Sequence, residues 1–574
     1  MTRIDADALE GQGRTGTRGL RLPSPLLILA LAVLACIGLL TLPLTLPIGA
    51  MYWDLVVYLD GGQRVLDGQI PSVDFFAPVG PIGYWLMAAG LWLFPQGQML
   101  LVVQWSLLAL TAPLMAAVLW DVDRRSRSTA LALLLPFLAF QLMPMNVEQH
   151  SVFPSVDGYG IYNRHVVNLL YVLTAALVFV RSQAVMLAVV FAACLFLFLL
   201  KVTGFLSAGL LCLFAFLAGR IRFTAALGAA ALFLATLGLM EAASGIVSAY
   251  VADILALVGM NTGTLAPRFL QAASIHFGIF GSGCLLVLAL LVLDRRALMG
   301  DVRSLRRGPF VERLNAGLDR PVLWLGVGLV AGLFFETQNT GGQAFTFLWP
   351  ILLLVLYDTA RLGPRSTVLV LTLVAATALP PFVNVTHRFA RAMIGQINYV
   401  ALEHRHLGTL GAVSQRIEAM ERGRWSLDVY AAHPETFEDF SEKPMLSSFS
   451  LYSELDFQLA WLMANDEAAG AILDYEAANG VRFETIMNLN FGNPFPWLLD
   501  RSGTRHVAIG ADPFRAVPEP DAETIAAVAD TDLILYPTCP ITPANNRLRD
   551  FYAAGMEGHE PVRLSRCWIG YVKR

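Results

Sequence analysis

Residues Trp53–Leu86 read WDLVVYLDGGQRVLDGQIPSVDFFAPVGPIGYWL and follow directly on the first long apolar run, Pro25 to Pro47. Four carboxylates, Asp54, Asp60, Asp67 and Asp74, face a single arginine, Arg64, and glycines and prolines punctuate the stretch. It is too polar to cross lipid and too apolar for an idle loop, so it is expected to lie along a membrane surface. Leu55, Leu59 and Leu66 share one face of a helix; Asp60, Gln63, Arg64 and Asp67 share the other, with Gly68 at its end. This spacing predicts an interfacial helix with a water-facing polar stripe. The apolar segment Val79 to Phe94 is interrupted by Pro81, Gly83 and Gly90, which predicts a surface or re-entrant helix instead of a span.

Composition sets the class. Of 574 residues, 56% are hydrophobic and 15% charged, and the mean hydropathy is +0.59, values of a polytopic membrane protein. A net charge of -4 argues against a nucleic-acid partner. The apolar run after the polar N-terminus is long enough to act as an uncleaved anchor. Spans are expected near Pro25 to Pro47, Met99 to Trp120, Thr129 to Met145, Val166 to Val180, Ala184 to Leu200, Thr203 to Ala218, Phe223 to Met240, Ala272 to Leu293, Pro321 to Phe335, Ala344 to Tyr357 and Thr367 to Val383. That makes roughly eleven. With the N-terminus inside, Arg124, Arg125, Arg127, Arg220, Arg222, the Arg295 to Arg320 loop, Arg361 and Arg365 all fall inside, as the positive-inside rule requires.

An odd number of spans places the C-terminal part outside, in the periplasm if the membrane is a bacterial inner membrane. Three parts are expected: a cytoplasmic tail (1–24), a transmembrane domain (25–384) and an outer α/β domain (385–574). In the last, strands are read at Leu427 to Ala431, Thr485 to Leu489, His506 to Ile509, Leu533 to Tyr536 and Trp568 to Val572. Helices are read at Ser453 to Ala468, Ala522 to Ala529 and Asn545 to Ala554. His387 to Met420 reads as a helical linker. Four cysteines lie in apolar runs, which leaves Cys539 and Cys567 to pair in an oxidising compartment.

Several polar groups could carry chemistry. Asp54 suits either a helix cap or a reactive carboxylate. The second outer loop, NVEQHSVFPSVDGYGIYNRH, offers Glu148, His150 and Asp157 as ligands for Mg or Mn, a two-residue spacing that ordinary loop residues also show. Arg164 and His165 stand at the mouth of a span, where charge is costly unless paired or bound to an anion. Lys201 breaks the run LFLFLLKVTGF on the outer side, either snorkelling to water or meeting a lipid phosphate. In FFETQNTGGQAF, Glu336, Gln338, Asn339 and Gln343 are placed to bind sugar hydroxyls or to face water. His276 and Arg268 are further possibilities.

The order WDLVVYLDGGQRVLDGQIP, then APVGPIGYWLMAAGLWLF, resembles the first-loop signature of the GT-C superfamily of membrane glycosyltransferases, including the dolichyl-phosphate-mannose-dependent mannosyltransferases. Many relatives carry Asp-Glu where this chain has Asp54-Leu55. The match covers roughly Pro25 to Gly204. The resemblance implies a polyprenyl-phosphate sugar donor and a glycan, lipid or protein acceptor. It also implies an inverting hexosyl or pentosyl transfer at the outer face, with Asp54 catalytic and Lys201 beside the lipid phosphate. Glu148 or Asp157 corresponds to the second acidic residue of that family, and Asp60, Arg164, His165 and the Glu336 turn are assigned to substrate. Two rival readings remain: a glycolipid transporter or flippase, and a non-catalytic scaffold with an outer interaction domain.

Overall fold

The computed structural model describes residues 22–49, 51–148, 153–261, 265–304, 309–337, 343, 345–443 and 455–574. The first apolar run forms α1 (Pro25–Leu40), and the loop after it supplies α2 (Asp54–Leu66) and α3 (Ile82–Leu93). α4 (Met99–Ser106) and α5 (Leu108–Asp123) together make one apolar stretch of 25 residues. There follow α6 (Arg127–Leu142), α7 (Ile161–Phe179), α8 (Gln183–Leu200), α9 (Val202–Leu217), α10 (Phe223–Ser244) and α11 (Ile246–Met260). After these come α12 (Leu265–Ile275), α13 (Phe277–Ser304), α14 (Phe310–Leu318), α15 (Pro321–Glu336), α16 (Trp349–Asp358) and α17 (Pro364–Gly395).

Six of the described helices are long and apolar enough to cross a membrane, or seven if α14 and α15, bent by 70°, count as one. α1, α3, α6, α9 and α11 are apolar but shorter. The helices sort by burial. In α7 nearly every side chain is enclosed by other helices, whereas in α10 only Ala225 and Ala229 are buried. Leu234 (67% exposed) and Leu239 (72%) of α10 face outward, as lipid-contacting residues do. At 12 residues, α3 is about 18 Å long, short of a bilayer core.

Some expectations change. α11 is an apolar helix of 15 residues that span-counting did not include; Gly245, in the left-handed region at φ 69°, separates it from α10. The run Ala344 to Tyr357 contains a helix of only 10 residues, α16. Conversely, α17 extends 12 residues beyond the expected Val383, to Gly395. Its 32 residues give about 48 Å, so its last turns project past a hydrocarbon core of about 30 Å.

The linker is not a helix throughout. Past Gly395 the chain turns back to build a small sheet in which β3 (Val413–Gln415) lies between β1 (Leu46–Pro47), parallel to it, and β2 (Val400–Ala401), antiparallel. The start of the outer domain is thereby tied to the end of α1. α18 (Ile417–Ala432) occupies the place where a strand was expected at Leu427 to Ala431. Leu427 and Tyr430, three apart, pack with Ala460 and Ala464 of α20 (Leu455–Asn479), and that helical spacing overrides local β propensity.

α19 (Pro434–Glu442), β4 (Thr485–Asn488), α21 (Phe495–Leu499), β5 (Ser502–Gly503), α22 (Ala522–Ala529), β6 (Leu533–Pro537), α23 (Pro543–Met556), β7 (His559–Ser565) and β8 (Trp568–Lys573) complete the domain. Its sheet runs β5-β4-β6-β8-β7, the first three parallel and β8 antiparallel to both neighbours. Cys539 and Cys567 are joined by a disulfide. His506 to Ile509 is not a strand of this sheet. Ala508 instead bridges Phe76 of the first loop, with Phe76 N–H donating to Val507 O (3.1 Å) and Ile509 N–H to Phe76 O (3.0 Å).

Asp60 and Arg64 therefore do not form part of a water-facing stripe. Both are buried beneath the outer domain, and Arg64 donates to Asp60 (2.7 Å), Gln69 (3.0 Å) and the carbonyl of Thr504 (2.5 Å). The ion pair is spent on docking the domain, so Asp60 is corrected from a substrate ligand to a structural one. Breaking such a buried pair from one side costs about 3–5 kcal/mol.

Candidate active site

Asp54 opens α2 without capping it. The N-cap position is Trp53, whose N–H donates to Gln458 Oε1 at 2.9 Å. The Asp54 carboxylate turns to another element and accepts the Gly160 N–H at 3.2 Å, 106 residues away. Gly160 sits at φ 63°, a left-handed position that favours glycine, and is the N-cap of α7. The carboxylate thus faces the positive end of a helix. The packed wall around it removes much of its water, and this desolvation pushes its pKa up to about 7 against the pull of the Gly160 N–H and the charges of Arg515 and Arg164.

Behind Gly160 the second loop is held by two arginines. Arg164 donates to Gln104 Oε1 (2.9 Å), Asn146 Oδ1 (2.9 Å), Tyr159 O (2.9 Å) and Asp157 O (3.1 Å). Arg388, from the projecting end of α17, grips both oxygens of Asp157 (3.0 and 2.9 Å) and the carbonyls of Asn146 and Glu148 (2.7 Å each). Asp157 also accepts the Asn146 N–H at 2.8 Å.

Asp54 opens on a cavity of about 1090 Å³ between the helices and the C-terminal domain. On the membrane side it is lined by apolar residues of α9 and α11, such as Leu206, Ile254 and Leu257, with Lys201 and Arg268 as its basic residues. Lys201 stands in the extended break between α8 and α9, 2.7 Å from Asn163 Oδ1 and 4.7 Å over the Tyr162 ring. Gly80 sets that break in place. Its N–H donates to Leu200 O at 2.9 Å, and a Cβ there would stand 2.1 Å from Leu199 O. On the domain side the wall includes Trp461, Asn490 and the Asp512–Arg515 pair (2.6 Å).

No family model matches the chain, and no curated protein matches it. Three solved structures do. ArnT from Cupriavidus metallidurans matches in the apo state (14% identity, TM-score 0.36) and bound to undecaprenyl phosphate (14%, 0.38), each match covering 95% of this chain and 97% of that one. The archaeal oligosaccharyltransferase AglB from Archaeoglobus fulgidus, in complex with an inhibitory peptide and a dolichol-phosphate, matches at 12% identity and TM-score 0.36, over 96% of this chain and 74% of that one. At this degree of similarity the function has to be read from the residues of the cavity.

Of the residues singled out in the sequence, Asp54, Lys201 and Arg268 share the cavity. Arg164 and His165 lie buried behind it in the first turn of α7, Arg164 within the loop network and His165 6.3 Å from the Tyr58 ring. Glu336 is buried, 3.3 Å from His276, which on its other side is 3.2 Å from Glu148. His150, Gln338 and Asn339 lie outside the described residues, and Gln343 donates to Asn146 Oδ1 at 2.7 Å.

The described members of the supposed metal set do not fit a metal site, since Asp157 is held by Arg388 and Glu148 faces His276. Among the described residues no group of three or more His, Cys, Asp or Glu side chains is arranged to hold an ion. Sequence reading passed over Arg388, placed in a supposed linker, and Arg515, Asp512 and Trp461 of the outer domain. No local motif marks them.

Proposed function

We propose that this chain is an integral-membrane glycosyltransferase that moves a sugar from a polyprenyl-phosphate donor to an acceptor hydroxyl on the outer face of the membrane, with inversion. The observation that carries this reading is the Asp54 carboxylate, its pKa raised to about 7, in the wall of a cavity with Lys201 and Arg268 at its membrane side. An apolar wall beside two cations suits a lipid tail joined to a phosphate. A carboxylate poised near neutral pH suits proton abstraction.

In the proposed step the acceptor O–H loses its proton to Asp54 as its oxygen bonds to the anomeric carbon. The bond from that carbon to the phosphate oxygen breaks on the opposite face, its electron pair stays on the phosphate, and polyprenyl phosphate leaves. Lys201 and Arg268 stabilise the charge that grows on the leaving group in a site partly closed to water. Gly160 N–H and the helix behind it keep Asp54 ionisable. The first-loop resemblance to GT-C enzymes supports the same assignment. Membership in a bacterial inner membrane, with the outer domain in the periplasm, completes the proposal.

The decisive measurement is sugar transfer from a radiolabelled polyprenyl-phosphate sugar by purified protein, compared with its Asp54→Asn variant. Loss of transfer with donor binding retained supports Asp54 as base, and transfer at the unmodified rate removes it.

A further inference from the structure

The domain half of the cavity has its own chemistry. It lies at the carboxyl ends of the parallel strands β4 and β6, since the turns after both, at Asn490 and at Thr542, line it. That is where open α/β sheets bind ligands. Its floor is aromatic and runs up to the catalytic carboxylate. Trp53, next to Asp54, packs edge-on against Phe457 (centroids 5.4 Å) and 5.1 Å from Phe491. One helical turn beyond Phe457, Trp461 presents the same face of α20 to the cavity.

Four details select a ligand class. The Trp461 side chain is 5% exposed, and among the described residues its buried indole N–H has no hydrogen-bond partner; such a group normally has one. Asn490 uses its side-chain oxygen to accept the Phe491 N–H (2.8 Å). The described charged side chains of this half are Asp512 and Arg515, and they pair with each other at 2.6 Å. The N-terminus of α23, which elsewhere would attract an anion, is closed here. Pro543 has no N–H to offer, and Thr542 Oγ1 accepts the Asn545 N–H at 3.2 Å.

We infer that this crevice is the acceptor subsite and that it takes the end of a neutral saccharide chain, not a phosphorylated lipid head group. A sugar ring has an apolar C–H face to lie on the aromatic floor, and a small turn of the Trp461 ring would bring its buried N–H to a sugar hydroxyl. Its terminal hydroxyl would then reach Asp54 past Trp53. The inference rests on the transferase reading for the purpose of the site, but the binding it asserts is independent of turnover.

The test uses full-length protein in lipid nanodiscs with methyl glycosides of neutral gluco-, manno-, galacto- and arabino-trisaccharides. The same trisaccharides carrying one phosphomonoester are measured in parallel by calorimetry. At least one neutral trisaccharide should bind and its phosphorylated form should bind more weakly. Trp461→Ala should weaken that binding by about tenfold or more, with affinity for polyprenyl phosphate unchanged as evidence of a folded protein. Trp461→Phe, which keeps a ring and loses the N–H, should fall between. Equal or tighter binding of the phosphorylated forms, indifference to Trp461→Ala, or no binding by any member overturns the subsite. If Asp54→Asn still transfers sugar while neutral trisaccharides bind as expected, the catalytic reading fails and the subsite stands. If transfer proceeds to an acceptor that is not a saccharide, the reverse holds.

Discussion

Arg388 and Asp157 are 231 residues apart in sequence and meet through two hydrogen bonds of 3.0 and 2.9 Å. The pair joins the projecting end of α17 to the loop that presents Gly160 to Asp54. Arg388 is accordingly a positioning residue. Arg388→Ala strands a buried carboxylate, at a cost of about 3 kcal/mol in stability, and releases the loop. Loss of the Gly160 N–H contact raises the Asp54 pKa further. The pH midpoint of transfer should move upward by about half a unit or more, along with a fall in rate. A lower rate with an unmoved midpoint would show that Arg388 serves stability alone.

The raised pKa of Asp54 makes two further statements about pH. In the proposed step it acts as a base only when ionised, so transfer should rise through about pH 7 to a plateau and fall about tenfold per unit at lower pH. Its effect on stability has the opposite direction. A carboxyl whose pKa is raised on folding contributes stability below its unfolded value and loses that contribution as pH climbs through about 7. Asp54→Asn removes the cost of the partly desolvated charge. Its melting temperature should exceed that of the unmodified protein by a margin that widens from pH 4 to pH 8, an effect of about 2–4 kcal/mol. A constant margin would mean that the carboxylate is not strained by its surroundings.

Gly80 permits the close approach that sets Lys201. A methyl group at this position would meet Leu199 O at 2.1 Å, backbone that cannot swing aside, so Gly80→Ala must shift the break at Lys201. The expected result is an increase of at least about fivefold in KM for the donor, similar to that of Lys201→Ala, because in the proposed site both changes displace the ammonium from the donor phosphate. Gly68→Ala, with open space around its Cβ but φ +82°, should cost stability and leave donor KM unchanged. Kinetics on both variants separate a local effect on Lys201 from a general loosening of the first loop.

Orientation can be measured by reporter fusions after Arg127, Arg320 and Arg574. The first two should report the inside and the last the outside, following the arginine distribution. A C-terminus found inside would leave the domain and its crevice on the wrong side for an outer acceptor.

The order and character of the segments were legible in sequence because they depend on local physics. Apolar runs of near-span length, the arginine-rich loops between them and the placement of Asp54 just past α1 need no tertiary information. The core strands β4, β6 and β8 and the helices α22 and α23 likewise show in local periodicity. What Asp54 does was not legible: the same aspartate fits a cap or a base, and the choice turns on Gly160, 106 residues away. Asp60 and Arg64 read as a wetted stripe because the domain that buries them begins more than 300 residues later. Tertiary structure alone decided which charges are spent on each other, as in Arg64–Asp60 and Arg388–Asp157, and which are left facing the cavity, as with Asp54 and Lys201. The physical reason is that a charge's role is set by its desolvation and its partners, and both come from segments brought together only when the chain folds.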